Sequence, residues 1–154
     1  MAVESGGHAT LTTSERSGWR CPRCGRRFKQ RTREHSCDVQ DLESHLGRGG
    51  PEVRAAFRAV KRVLTRLGPH EVVPVKTMVL LRAESNFGSL AFGRRQLEVS
   101  FMLRERIAHA RIHRVERLSS TRFAHHVRVT AAREVDAELA AWLGRAYLSC
   151  VGLP

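Results

Sequence analysis

The chain has 154 residues, enough for one core-bearing domain and a small appendage, and its 42% hydrophobic but only 6% aromatic content predicts a mostly aliphatic core. No apolar run approaches the ~20 residues needed to cross a bilayer, and residues 1–18 lack the apolar stretch of a secretory signal, so a cytoplasmic protein without a membrane partner is expected. The formal net charge of +12 is concentrated, with +6 over residues 19–37 and +7 over residues 94–133, which is the footprint of a nucleic-acid or other polyanion partner. Codon bias competes with that reading, because 24 of the 27 basic residues are arginine and Ala and Gly are common.

In chain order, residues 1–18 are rich in Ser, Thr and Gly without periodicity and read as a disordered tail. Residues 19–46 read as a zinc-binding segment. Cys21-Pro22-Arg23-Cys24-Gly25 places two thiolates three positions apart, with a proline that pre-sets the turn and a glycine that lets the backbone reverse. His35 and Cys37 supply a second pair ten residues later. Three cysteines within 17 residues point to metal rather than to a disulfide in a reducing compartment. Cys21, Cys24, His35 and Cys37 would close a tetrahedron around one structural zinc ion, with no position open for chemistry. His45 competes with His35 for the histidine position, and iron is the weaker rival because only three sulfurs are present. Trp19 and Phe28 form the expected miniature core. Arg23, Arg26, Arg27, Lys29, Arg31 and Arg33 are the candidate polyanion-binding residues, unless they only balance the thiolates.

Gly47-Arg48-Gly49-Gly50 predicts a hinge, and Pro51 suits the first turn of a helix. Val53, Ala56, Phe57, Val60, Val63, Leu64 and Leu67 recur at three- and four-residue steps, and Gly68-Pro69 supplies the stop. The opposite face carries Arg54, Arg58, Lys61, Arg62 and Arg66, a pattern that most simply describes a solvated face. Strand chemistry follows over residues 72–82, 87–92, 97–103 and 125–130, with the cleanest alternation in Leu97, Val99, Phe101 and Leu103. Residues 104–122 read as an Arg-rich loop. A final helix is expected over residues 135–147, with Glu134, Asp136 and Glu138 at the positive end of its dipole. The expected fold class is α+β: a small N-terminal zinc-binding segment, then a domain over residues 51–150 with an antiparallel sheet of about four strands flanked by two helices.

Beyond the metal set, His125-His126 is the densest titratable feature, and alternation sends the two rings to opposite faces. Lys76 is a lone cation in an apolar run. Neither a phosphate-binding loop, a dinucleotide fingerprint nor a nucleophile elbow is present.

Trp19-Arg20-Cys21-Pro22-Arg23-Cys24-Gly25-Arg26-Arg27-Phe28, His35-Ser36-Cys37 and Leu42-Glu43-Ser44-His45-Leu46 resemble small bacterial proteins of the uncharacterised family "domain of unknown function 5655". Val73-Pro74-Val75-Lys76-Thr77, His125-His126-Val127-Arg128-Val129 and Asp136-Ala137-Glu138-Leu139 extend the resemblance, which covers most of residues 19–148. It implies a compact α+β domain without an established reaction, and marks Lys76 and His126 as pocket candidates. Three functions follow as expectations. One is a zinc-stabilised module that contacts nucleic acid or another polyanion. The second is a small-molecule-binding or enzymatic domain with the zinc segment as scaffold, and the third is a protein–protein interaction module.

Overall fold

The computed structural model describes residues 18–22, 27–28 and 41–152. Contacts divide the chain into two compact units, residues 1–38 and 39–154. In the first unit, β1 (Trp19–Arg20) pairs antiparallel with β2 (Arg27–Phe28), with Trp19 opposite Phe28 and Arg20 opposite Arg27. Residues 1–17 of the expected tail lie outside the described residues. The expected zinc-binding segment is corrected: among the described residues no group of three or more His, Cys, Asp or Glu side chains could hold a metal ion.

The second unit begins with a short helix, α1 (Leu42–Leu46), capped by the Asp41 carboxylate, which accepts from the Ser44 amide at 2.8 Å. After the glycine-rich link comes α2 (Pro51–Leu67), with proline in its first turn as the sequence predicts. Its inward stripe buries Val53, Ala56, Phe57, Val60 and Leu64. The helix stops at Gly68, whose φ of 135° is open to glycine but strained for other residues.

Six antiparallel strands follow: β3 (Glu71–Pro74), β4 (Val79–Arg82), β5 (Asn86–Phe92), β6 (Leu97–Leu103), β7 (Ile112–Ser119) and β8 (Arg122–Val129), in the spatial order β3-β4-β5-β6-β8-β7. A 3₁₀ turn at Ala132–Glu134 leads to α3 (Ala137–Cys150). The Asp136 carboxylate caps α3 by accepting from the Leu139 amide at 3.1 Å, placing negative charge where the helix dipole is positive.

Strand alternation gives the sheet two different faces. Val79 and Leu81 of β4, Leu90 and Phe92 of β5, Leu97, Val99 and Phe101 of β6, and Val127 and Val129 of β8 are buried with the apolar stripes of α2 and α3. Aromatic contacts tie the layers: Phe57 meets Phe92 at 5.5 Å, and Phe101 stacks on Trp142 at 5.3 Å. Both helices therefore cover the same face. Gly88 lies where β5 passes close to β6, and a Cβ there would come within 2.5 Å of the Ser100 carbonyl oxygen.

The α+β class holds, but the expected count is corrected: among the described residues the main sheet has six strands and there are three α-helices. Residues 72–82 contain two strands because the chain reverses between Val75 and Met78, where the Val75 amide donates to the Met78 carbonyl at 2.8 Å. Strand β7 occupies much of the stretch expected to be a loop. Its apolar residues Ile112, Val115 and Leu118 fall at steps of three because two register shifts interrupt its pairing with β8. As an edge strand it is mostly exposed, so its residues carry little period-two signal.

Candidate functional site

The outer face of α2 is the most uniform charged surface of the second unit. The residues that bury the inner stripe leave Arg54, Arg58, Lys61, Arg62 and Arg66 exposed on the opposite side. Successive members of the row 54, 58, 62 and 66 rise by ~6 Å, so the row spans ~18 Å. None of the five forms an ion pair among the described residues. Glu52 is the lone carboxylate of the helix. The β5–β6 hairpin adjoins the start of α2, where the Gly50 amide donates to the Arg94 carbonyl at 3.0 Å, and both Arg94 and Arg95 are exposed. The basic surface thus continues from the helix onto the hairpin.

A second polar group lies on the helix-free face of the sheet. Register places Ser100 of β6 directly opposite His126 of β8, with Glu98 one step along the same face. The Ser100 hydroxyl is 2.7 Å from His126 Nδ1, and Glu98 Oε1 is 2.9 Å from that same nitrogen. Arg114 Nη2 stands 3.4 Å from both ring nitrogens and 3.6 Å from Glu98, while Glu116 approaches Nε2 at 3.6 Å. Ser100 and His126 are buried. A nucleophile relay needs serine and carboxylate on opposite ring nitrogens. Here Glu98 shares Nδ1 with the serine, and Glu116, the carboxylate on the opposite nitrogen, stands at 3.6 Å, beyond hydrogen-bond distance, so the arrangement satisfies buried polar atoms without the relay geometry. His113 adjoins the group, 3.8 Å from Glu98; burial, reinforced by Arg128, lowers its pKa.

His125 points to the other face, as alternation requires. It is fully buried and stacks on Phe101 at 5.2 Å. Its Nε2 accepts from the Ile107 amide at 2.9 Å, and its Nδ1 has no hydrogen-bond partner.

The residues singled out in the sequence separate as follows. Of the four expected zinc ligands only Cys21 is among the described residues, and it is buried; Cys24, His35 and Cys37 lie outside them. The competing histidine, His45, is spoken for: its Nε2 donates to the Val75 carbonyl at 2.6 Å, and its Nδ1 faces the Arg48 guanidinium at 3.5 Å. The expectation of a zinc cofactor is accordingly corrected, since no metal-holding group is present among the described residues. Arg27 contributes backbone to β2, and Arg23, Arg26, Lys29, Arg31 and Arg33 lie outside the described residues. Lys76 is exposed in the β3–β4 turn, whereas His126 sits three strands away from β4, a separation of roughly 14 Å at the usual interstrand spacing. The structure does not bring that pair together. Sequence reasoning missed Glu98, Ser100, Arg114 and Glu116 as partners of His126. The alternation of Arg114 and Glu116 around Val115 was the available signal, hidden by the irregular register of β7.

The fold and its surfaces define a class: a small α+β domain with both long helices on one face of a six-stranded antiparallel sheet and a basic outer helix. The chain belongs to the family described as Domain of unknown function (DUF5655), whose pattern matches residues 43–149. That match begins after the Cys/His-rich segment, so the resemblance drawn from residues 19–37 is corrected to the α+β domain. No curated protein and no solved structure matches the chain. Among the described residues no helix is long and apolar enough to cross a membrane.

Proposed function

We propose that the protein is a nucleic-acid-binding module that grips the phosphate backbone through the outer face of α2. The observation that carries this reading is the row Arg54, Arg58, Arg62 and Arg66, flanked by Lys61, exposed and without carboxylate partners among the described residues. A nucleic-acid strand presents one charge per ~3.4 Å of duplex axis, so cations at ~6 Å intervals meet roughly every second phosphate. Backbone contacts of this kind position a protein without reading sequence. The basic residues Arg23, Arg26, Arg27, Lys29, Arg31 and Arg33 add to the same long-range attraction.

Fluorescence anisotropy with duplex and single-stranded oligonucleotides over a potassium chloride series tests the proposal. Affinity falls steeply as salt rises from about 50 to about 200 mM, and it depends little on sequence. In the variant Arg54→Gln, Arg58→Gln, Arg62→Gln, Arg66→Gln, the log–log salt slope on duplex DNA flattens by about 3–4, from ~0.9 per phosphate contact. Absence of binding at the lowest salt refutes the reading, and an unchanged slope in the variant moves the contact elsewhere.

A further inference from the structure

Three features fall outside the proposed backbone grip: the His126 group, buried His125, and a groove where β6, the β7–β8 turn and the end of α3 meet. The first two are internally occupied, the His126 ring by Ser100 and Glu98 and the His125 ring by Phe101 and Ile107. The groove is open. It encloses about 400 Å³, within the range of ligand pockets, and is lined by Ser85, Arg104, Thr121, Arg122, Ser149 and Cys150. It presents two guanidinium groups, three hydroxyls and a thiol, and no carboxylate.

Arg122 is pre-positioned. Its Nη2 donates to the Asn86 carbonyl at 2.7 Å and lies 3.4 Å from the Met102 sulfur, which leaves Nη1 and Nε without an acceptor among the described residues. Arg104 is exposed and makes no ion pair among the described residues. Beside them a second cavity of about 510 Å³ shares Leu103, Arg104 and Ser149 and extends over Leu148, an exposed apolar side chain. The Glu105–Arg145 ion pair lines that end. The wall therefore grades from cationic and hydroxyl-rich to apolar.

We propose that this groove binds a small organic phosphate, with Arg104 and Arg122 on the phosphoryl oxygens and the Leu103–Leu148 surface beneath the organic part. One forked guanidinium fills two of the roughly four lone-pair sites of a carboxylate. Two guanidinium groups flanked by Ser85, Thr121 and Ser149 provide more donors than a carboxylate can accept, and match the three oxygens of a phosphate monoester. The site is separate from the outer face of α2 and does not depend on nucleic-acid binding.

Cys150 makes the proposal measurable. Its thiol lies in the groove wall, donating to the Ser85 carbonyl at 3.0 Å and accepting from the Ser85 amide at 3.2 Å. Iodoacetamide labelling of the full chain, read at the Cys150 peptide by mass spectrometry, is followed with adenosine 5′-monophosphate, ribose 5-phosphate, inorganic phosphate or acetate present. A bound organic phosphate slows labelling by about tenfold at ten times its dissociation constant, as site occupancy requires. Acetate leaves the rate unchanged. Arg104→Gln, which removes an exposed side chain without a protein partner, abolishes the protection, and the fourfold α2 variant retains it. The proposal is overturned if no phosphate compound protects Cys150 at about 10 mM, a dissociation constant too weak for a built site. It is equally overturned if acetate protects as well, if Arg104→Gln protects like the parent chain, or if the α2 variant loses protection.

Discussion

His125 makes the stability of the domain depend on pH in a definite direction. The ring is fully buried against Phe101, and its Nε2 accepts a hydrogen bond from the Ile107 amide, so that nitrogen carries no proton in the folded state. Burial lowers its pKa below the ordinary histidine value, with electrostatic interaction with His126 and Arg106 acting in the same sense; the Phe101 and Phe123 carbonyls oppose the shift without reaching hydrogen-bond geometry at Nδ1. A depressed histidine leaves the unfolded chain binding more protons than the folded one as pH falls below about 6.5. Stability is therefore full above that value and is lost as pH falls through it. One unit lower, the loss approaches at most about 1.4 kcal/mol, the limit in which the folded ring stays neutral. Protonation would also set an N–H on Nε2 against the Ile107 amide, freeing the link between β6 and β7. Urea unfolding of the parent chain and of His125→Gln, from pH 8 to pH 5, measures the difference. The parent loses stability more steeply than the variant between pH 7 and pH 5.5. His113, whose pKa burial also lowers, contributes equally to both and cancels. Parallel curves would refute the assignment.

Two further substitutions test the packing that holds these surfaces. Phe101 is fully buried between His125 and Trp142, so Phe101→Ala costs about 3–5 kcal/mol in urea or thermal unfolding; a loss below about 1 kcal/mol would mean that the stack carries no weight. At Gly68, φ is 135° and an added Cβ would stand 2.6 Å from the Tyr147 hydroxyl, so Gly68→Ala destabilises by about 1–3 kcal/mol. Tyr147→Phe in the same chain recovers the steric part of that loss and leaves the backbone part, which a double-mutant cycle resolves.

What the sequence revealed followed the strength of its periodicity. The long amphipathic run after Pro51 reads as a helix because one face is buried throughout, and Leu97, Val99, Phe101 and Leu103 read as a strand for the same reason. Strand β7 was illegible: an edge strand with bulges buries little, and its apolar residues then occur at intervals that suggest no regular structure. Likewise, the turn at residues 75–78 contains no glycine and looks like a continuing strand. The candidate surfaces split along the same line. The α2 row was visible as residues, but the sequence could not show that its charges lack partners, because ion pairing depends on distant segments. Glu98, His126 and Arg114 show the converse: they are scattered over 29 positions and meet only through the β6–β8–β7 register.

Partners separate the arginines whose role is structural from those left for binding. Arg111 is held by Asp136, Glu138 and the Glu134 carbonyl, Arg145 by Glu105, and Arg48 by the Lys76 carbonyl. The α2 row has no such partners among the described residues, and codon usage explains why its cations are arginines but not why they share one face. Its like charges also oppose one another: Arg58 stands four residues from both Arg54 and Arg62 and three from Lys61. Each such pair destabilises a helix by about 0.2–0.5 kcal/mol. Arg58→Glu exchanges three repulsions for three attractions, so it stabilises the free protein by about 1–3 kcal/mol while placing a negative charge amid the phosphate contacts. Urea unfolding and oligonucleotide anisotropy on that single variant should therefore move in opposite directions, with stability up and affinity down. A variant that gains stability and still binds as tightly as the parent would show that the repulsion on α2 is not maintained for nucleic acid.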